Sequence, residues 1–178
     1  MRRCGSRTKP PRRCSKSASN VRAVVQRVSS ARVRVDDPSA PLGTSRVVGE
    51  IGQGLVVLLG IGREDGPDDV SYVAAKIRDM RVFEGEAGRH MDRSVADVGG
   101  SVLVVSQFTL YGDIRKGRRP AFDAAAPPHV ARALYESVVR ELRAGQLPVA
   151  TGEFQAMMHV ELVNDGPVTV LIDSKRQF

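Results

Sequence analysis

The segment that most constrains this chain is Ser101–Phe108, where Val102-Leu103-Val104-Val105 is an unbroken, β-branched apolar run and polar residues follow at once. Such a run is a strand, and its lack of alternation places it centrally in a sheet. Other strands are expected at Val21–Val28, Ala31–Val35, Val47–Ile51, Leu55–Ile61, Arg81–Phe83, Ala156–Val163 and Val168–Ile172. Ala31, Val33 and Val35 alternate with Arg32 and Arg34, which marks a half-solvated strand. Leu55–Ile61 does not alternate and is expected to be buried on both faces. Gly52-Gln53-Gly54 reads as a tight turn, Asp36–Arg46 as a loop, and Asn164-Asp165-Gly166-Pro167 as a turn between the last two strands.

Two helices complete the pattern. Gly66-Pro67-Asp68-Asp69 opens the first, with proline at the first helical position and two carboxylates facing unpaired amides. Val70, Val73, Ala74 and Ile77 then recur at helical spacing, and the helix ends near Asp79. The second begins near Pro127-Pro128, with Val130, Ala133, Leu134, Ser137, Val138 and Glu141 on one side. The order is strands, helix, strands, helix, strands, without regular βαβ alternation. This predicts one mixed α/β domain over residues 21–178 and argues against a doubly wound nucleotide fold.

Charge sharpens the boundary. The formal net charge is +7, but residues 1–20 hold seven basic side chains and no acid, leaving 20 basic and 20 acidic side chains in the rest. Residues 1–20 read as a disordered Arg/Ser/Pro leader, as sequence upstream of a true start at residue 21, or as an organelle-targeting leader without an amphipathic stripe. Cys4 and Cys14 both lie there, so the domain has no disulfide framework, Cys metal site or thiol nucleophile, which fits a reducing cytoplasm. No apolar run is long enough for a membrane span.

Familiar catalytic patterns are missing. His90, His129 and His159 are far apart and not at metal-ligand spacing, so neither a metal nor another cofactor is expected. Gly49, Gly52, Gly54, Gly60 and Gly62 match no phosphate-binding loop, and Glu84 and Glu86 are a weak candidate for an acid pair. What remains is Ser106-Gln107-Phe108-Thr109, which is either a strand end with satisfied hydroxyls or a site held on a rigid element. In strand geometry Ser106 and Phe108 would share a face opposite Gln107 and Thr109. Gly166-Pro167 is compatible with a cis bond that fixes neighbouring carbonyls, with Thr169 nearby. Arg115, Lys116, Arg118 and Arg119 form a basic loop, either solvated or holding nucleic-acid phosphates.

Val24-Val25-Gln26-Arg27-Val28, Gly99–Leu110, Arg119-Pro120-Ala121-Phe122 and Asn164–Thr169 together resemble the D-aminoacyl-tRNA deacylase family of the bacterial and eukaryotic type. The resemblance runs from about Val21 to Ile172. It implies a homodimer of β-rich, barrel-like protomers with flanking helices, hydrolysing the ester of D-aminoacyl-tRNA and of misattached glycine. It also implies that Ser106, Gln107, Phe108 and Thr109 form the pocket floor. Gly166 and Pro167 would enter the partner subunit's pocket as a cis peptide that blocks L side chains, supported by Arg27, Asn164 and Thr169. Arg115, Lys116, Arg118 and Arg119 are candidates for tRNA contact. The rival readings are a small-ester or amide hydrolase using Thr109, and a non-catalytic dimeric tRNA-binding module.

Overall fold

The computed structural model describes residues 20–36 and 44–176. The expectations for the leader, and for most of the Asp36–Arg46 loop, lie outside the described residues. The elements are β1 (Arg22–Asp36), β2 (Ser45–Ile51), β3 (Gly54–Gly60), α1 (Pro67–Asp79), β4 (Ser101–Ser106), α2 (Pro128–Ala144), β5 (Val149–Thr151) and β6 (Met158–Asp173), with short 3-10 turns at Glu86–Gly88 and Phe108–Tyr111.

The first two expected strands are one. β1 continues through Ser29-Ser30 because its two halves have different partners along one edge: Arg22–Val28 pairs with β3 and Ala31–Asp36 with β2. Both pairings are antiparallel, so Gly52-Gln53 bends the chain without reversing it, contrary to the expected tight turn. Gly54 serves close approach instead, since a Cβ there would lie 1.9 Å from the Ser101 carbonyl oxygen.

The closing strands are also one. β6 pairs antiparallel with β1 from Asp173 opposite Arg22 to Met158 opposite Val35. Between Thr169, opposite Gln26, and Asn164, opposite Val28, β6 spends more residues than its partner. Asn164–Pro167 is therefore a bulge within a strand and not the expected turn; β1 continues as partner on both sides of it.

β3, β4 and β5 are mutually parallel, joined by α1 and α2, so a βαβαβ unit is present after all. The sequence hid it because β5 has only three residues, all half-buried. Arg81–Phe83 is not a strand: Phe83 forms an isolated bridge with Arg93.

The sheet runs β2-β1-β3-β4-β5, with β6 on β1. Its ends approach one another, since a Cβ on Gly49 of β2 would lie 2.5 Å from the Thr151 carbonyl oxygen of β5. The result is a mixed α/β fold with a nearly closed, barrel-like sheet and two flanking helices. Leu55, Val57, Val102 and Val104 pack toward Val73, Ile77, Val138 and Leu142 of the helices. Val28, Val33, Val56, Leu103 and Val105 fill the barrel interior. Both faces of β3 and β4 are thus dry, as their unbroken apolar runs require, and each such side chain contributes about 1.5–3 kcal/mol by burial. These two strands are the rigid base for the segment that follows β4.

Candidate functional site

β4 ends at Ser106, two residues earlier than expected. The Gln107 amide still donates to the Leu59 carbonyl at 2.8 Å, and the chain then winds into the 3-10 turn Phe108–Tyr111. Ser106 and Phe108 therefore do not share a strand face. Gly60 leaves room for the turn, because a Cβ there would be 3.0 Å from the Gln107 carbonyl and 3.2 Å from the Leu110 Cβ. The turn's first hydrogen bond runs from the Leu110 amide to the Gln107 carbonyl (3.3 Å), so the amides of Phe108 and Thr109 precede it and lack an intrahelical acceptor.

The side chains of this turn are ordered by neighbours. Gln107 Nε2 donates to the Thr109 hydroxyl. Phe108 is 57% exposed, unusual for a phenylalanine, and meets Phe122 edge-on with ring centroids 5.0 Å apart. At the far end Tyr111 is buried, with its hydroxyl on the Asn20 carbonyl. Arg22 lies 4.8 Å over the Tyr111 ring and donates to the Leu110 carbonyl at 3.1 Å. Arg22, Tyr111 and Phe122 thus brace the turn, though none was among the expected site residues; for Tyr111 the usable signal was an aromatic two residues after Thr109. Asp65 approaches Tyr111, and burial pushes its carboxyl up to about 6 despite the Gly62 amide donating to it at 2.6 Å.

The second segment is pinned as tightly. Gly166-Pro167 is a cis peptide, and Gly166 has φ +122°. A Cβ on Gly166 would lie 2.8 Å from both Arg27 Nη2 and Val168 Cγ2, so geometry and space both demand glycine. Arg27, its side chain only 12% exposed, donates from Nε to the Asp165 carbonyl and pairs with its carboxylate, both at 3.2 Å. Its Nη1 donates to the Val82 carbonyl. Asn164 Oδ1 accepts from the Val168 amide at 3.0 Å, and Gln26 Nε2 donates to the Thr169 hydroxyl at 3.2 Å. Arg27, Asn164, Gly166, Pro167 and Thr169 are thus brought into one network.

The two segments are not brought together within the chain. Ser106 is opposite Leu59, Leu59 is opposite Ala23, and Ala23 is opposite Ile172. The bulge lies three strand steps across and about four residues along, roughly 20 Å away at usual strand spacings.

In the basic loop, the Arg115 guanidinium is committed to Asp113, with Nη2 2.6 Å from Oδ2, which holds the Asp113 carboxyl well below its ordinary range. Lys116, Arg118 and Arg119 are exposed and make no ion pair among the described residues. His90 and His159 lie near Glu84 (3.6 Å) and Asp36 (3.1 Å), and no cluster suited to a metal occurs among the described residues.

The sequence profile of the family described as "D-Tyr-tRNA(Tyr) deacylase" matches residues 24–173, which include every candidate residue. The "D-aminoacyl-tRNA deacylase" of Koribacter versatilis (strain Ellin345) is 56% identical over 158 residues, covering 89% of this chain and all of the relative. That of Desulforudis audaxviator (strain MP104C) is 57% identical over the same length and coverage. The chain belongs to the D-Tyr-tRNA deacylase family. A solved structure described as "c-Myc DNA Unwinding Element Binding Protein" has 40% identity and TM-score 0.75, covering 85% of this chain and 97% of that one. A second, "probable eukaryotic D-amino acid tRNA deacylase", has TM-score 0.69 at 18% identity over 86% of this chain and 99% of that one, a likeness of fold alone. Deacylase family membership thus joins the observed β4 turn and Gly-Pro bulge without deciding how they act together.

Proposed function

We propose that residues 21–178 form a cytoplasmic homodimeric hydrolase that cleaves the ester joining a D-amino acid, or misattached glycine, to the 3′ end of tRNA. The observation that carries this reading is the Gly166-Pro167 bulge, pinned by Arg27 and Asn164 and standing roughly 20 Å from the Ser106–Thr109 turn of its own chain. A bulge so fixed and so far from its own turn is suited to another subunit's pocket, where its carbonyls would meet an L side chain but leave a D side chain or hydrogen untouched. Selectivity then rests on exclusion by shape.

Chemistry at the turn needs no triad. An aminoacyl ester is already labile, so orientation of water and stabilisation of the oxyanion supply the acceleration. The Phe108 and Thr109 amides are the donors available, with Ser106 and Gln107 orienting the terminal adenosine and amino acid. The Thr109 hydroxyl accepts from the Gln107 amide, which cannot act as a base, so support is lacking for a threonine nucleophile or a small-ester hydrolase built on one. Thr109→Ala is expected to retain measurable deacylation, within about tenfold of the parent kcat; complete loss with intact folding and tRNA binding would restore the nucleophile. Lys116, Arg118 and Arg119 of the loop, with Arg115 tied back to Asp113, would meet phosphates beside the turn.

The deciding experiment compares matched D-, L- and glycyl-tRNAs as substrates for the purified protein. D- and glycyl-esters should be cleaved and L-esters spared. Equal cleavage of L-esters would remove the reading, and tRNA binding without any cleavage would favour the non-catalytic module.

A further inference from the structure

A groove of about 650 Å³ runs along the outer side of α2 between that helix and the residues at the end of β5. Arg132, Glu136, Arg140 and Arg143 line it at spacings of four, four and three, which puts them on one helix face. Arg132, Arg140 and Arg143 are exposed and have no ion-pair partner among the described residues. Arg132 stacks 5.0 Å over Phe154 on the opposite wall, and Arg140 Nη2 donates only to Ser137 Oγ, at 2.7 Å. Of the two carboxylates lining the groove, Glu153 is engaged by Arg46. Arg143 Nη2 donates to the Val149 carbonyl at 3.1 Å, so three guanidinium groups without a carboxylate partner face Glu136 alone, an electropositive trough in a domain whose charges balance overall.

Its position is specific. The Ala126 amide, just before α2, donates to the Ile61 carbonyl at 2.9 Å. β3, β4 and β5 are parallel and all end at this edge, so the start of α2, Gly152–Phe154 and the turn that follows Ser106 lie at the same end of the sheet. The arginines then lead away from the site for about 16 Å along the helix, a distance over which a nucleic-acid strand presents several phosphates.

We propose that this α2 face binds the phosphate backbone of the RNA stem behind the acylated 3′ end, with Arg132 and Arg140 as its principal contacts. The inference deepens the deacylase reading and rests on it for the identity of the RNA, but its test does not depend on hydrolysis. The probe is uncharged tRNA, its affinity measured by fluorescence anisotropy across a salt series. The Arg132→Ala/Arg140→Ala double variant should bind about tenfold more weakly, and the slope of log affinity against log salt should shrink by about two. Arg140→Glu alone should weaken binding further than Arg140→Ala, a readout insensitive to lost packing; melting temperature identifies any variant that has not folded. Arg78→Ala, which removes a cation paired with Asp79 on α1, should leave affinity unchanged. An unchanged slope in folded double and reversal variants overturns the proposal, as does competition by polyglutamate as strong as by tRNA, which would assign the face to an acidic protein. Loss of D-ester hydrolysis with slope-dependent binding intact would sink the deacylase reading and leave this face standing. Hydrolysis of D-aminoacyl-adenosine by a protein that binds no tRNA would do the reverse.

Discussion

Gly166 joins backbone conformation, packing and proposed chemistry at a single position. Its φ of +122° and the 2.8 Å approach of Arg27 to a hypothetical Cβ leave no relaxed place for a side chain. Gly166→Ala should cost about 1–3 kcal/mol, seen as a lowered melting temperature, and should narrow the preference for D- over L-esters. Undiminished preference would detach the bulge from selectivity. Asp65 provides a pH test. Burial raises its folded pKa to about 6, above the usual unfolded value, so the folded chain holds the proton more tightly. This contribution is fully present below about pH 4 and is lost as pH rises through about 6. Asp65→Asn should therefore gain melting temperature relative to the parent between pH 4 and 7, with a plateau above; a constant difference would show that Asp65 titrates normally. The resemblance pointed to Gly166-Pro167, but neither the stability effect there nor the Asp65 shift was legible in sequence, because Gly-Pro and a lone aspartate are common in turns. Only the Arg27 guanidinium and the covering strands give them their character.

At the scale of elements, glycines of similar appearance separate sharply. Gly49 lies where β2 meets β5, 2.5 Å being the distance from its hypothetical Cβ to the Thr151 carbonyl, whereas nothing lies within 4 Å of a Cβ on Gly52. Gly49→Ala should lower the melting temperature by several degrees and Gly52→Ala by little, since only the first carries a backbone clash. Equal effects would mean that the sheet is not closed at this seam. Leu103 of β4, wholly buried in the barrel interior, should cost about 2–5 kcal/mol as Leu103→Ala in urea denaturation. The unbroken apolar runs made β3 and β4 readable as doubly buried, and proline with first-turn aspartates made the start of α1 readable. β5 was not, because three half-buried residues carry no period. The continuity of β1 and β6 was hidden by polar residues, Ser29-Ser30 and Asn164–Pro167, that elsewhere would end a strand.

For the whole molecule, the proposed site, whose two halves stand about 20 Å apart in one chain, predicts complementation. Gly166→Ala and Gln107→Ala protomers, each defective alone, should regain activity when refolded together, approaching about a quarter of parental activity if hybrids form at random with one intact site each. No recovery, with hybrid dimers verified by mass, would place both halves on one protomer. The sequence by itself determined the family, the mixed α/β class and the two candidate segments, because local apolar runs and short motifs are properties of adjacent residues. Tertiary structure alone decided that Gly52-Gln53 continues one edge, that Gly-Pro is a bulge on β1, and that β2 returns to β5. It also decided that the arginines of α2 line a groove with Gly152–Phe154. Each of these depends on which strand lies alongside which, and strand pairing joins residues far apart in the chain, where no local period records it.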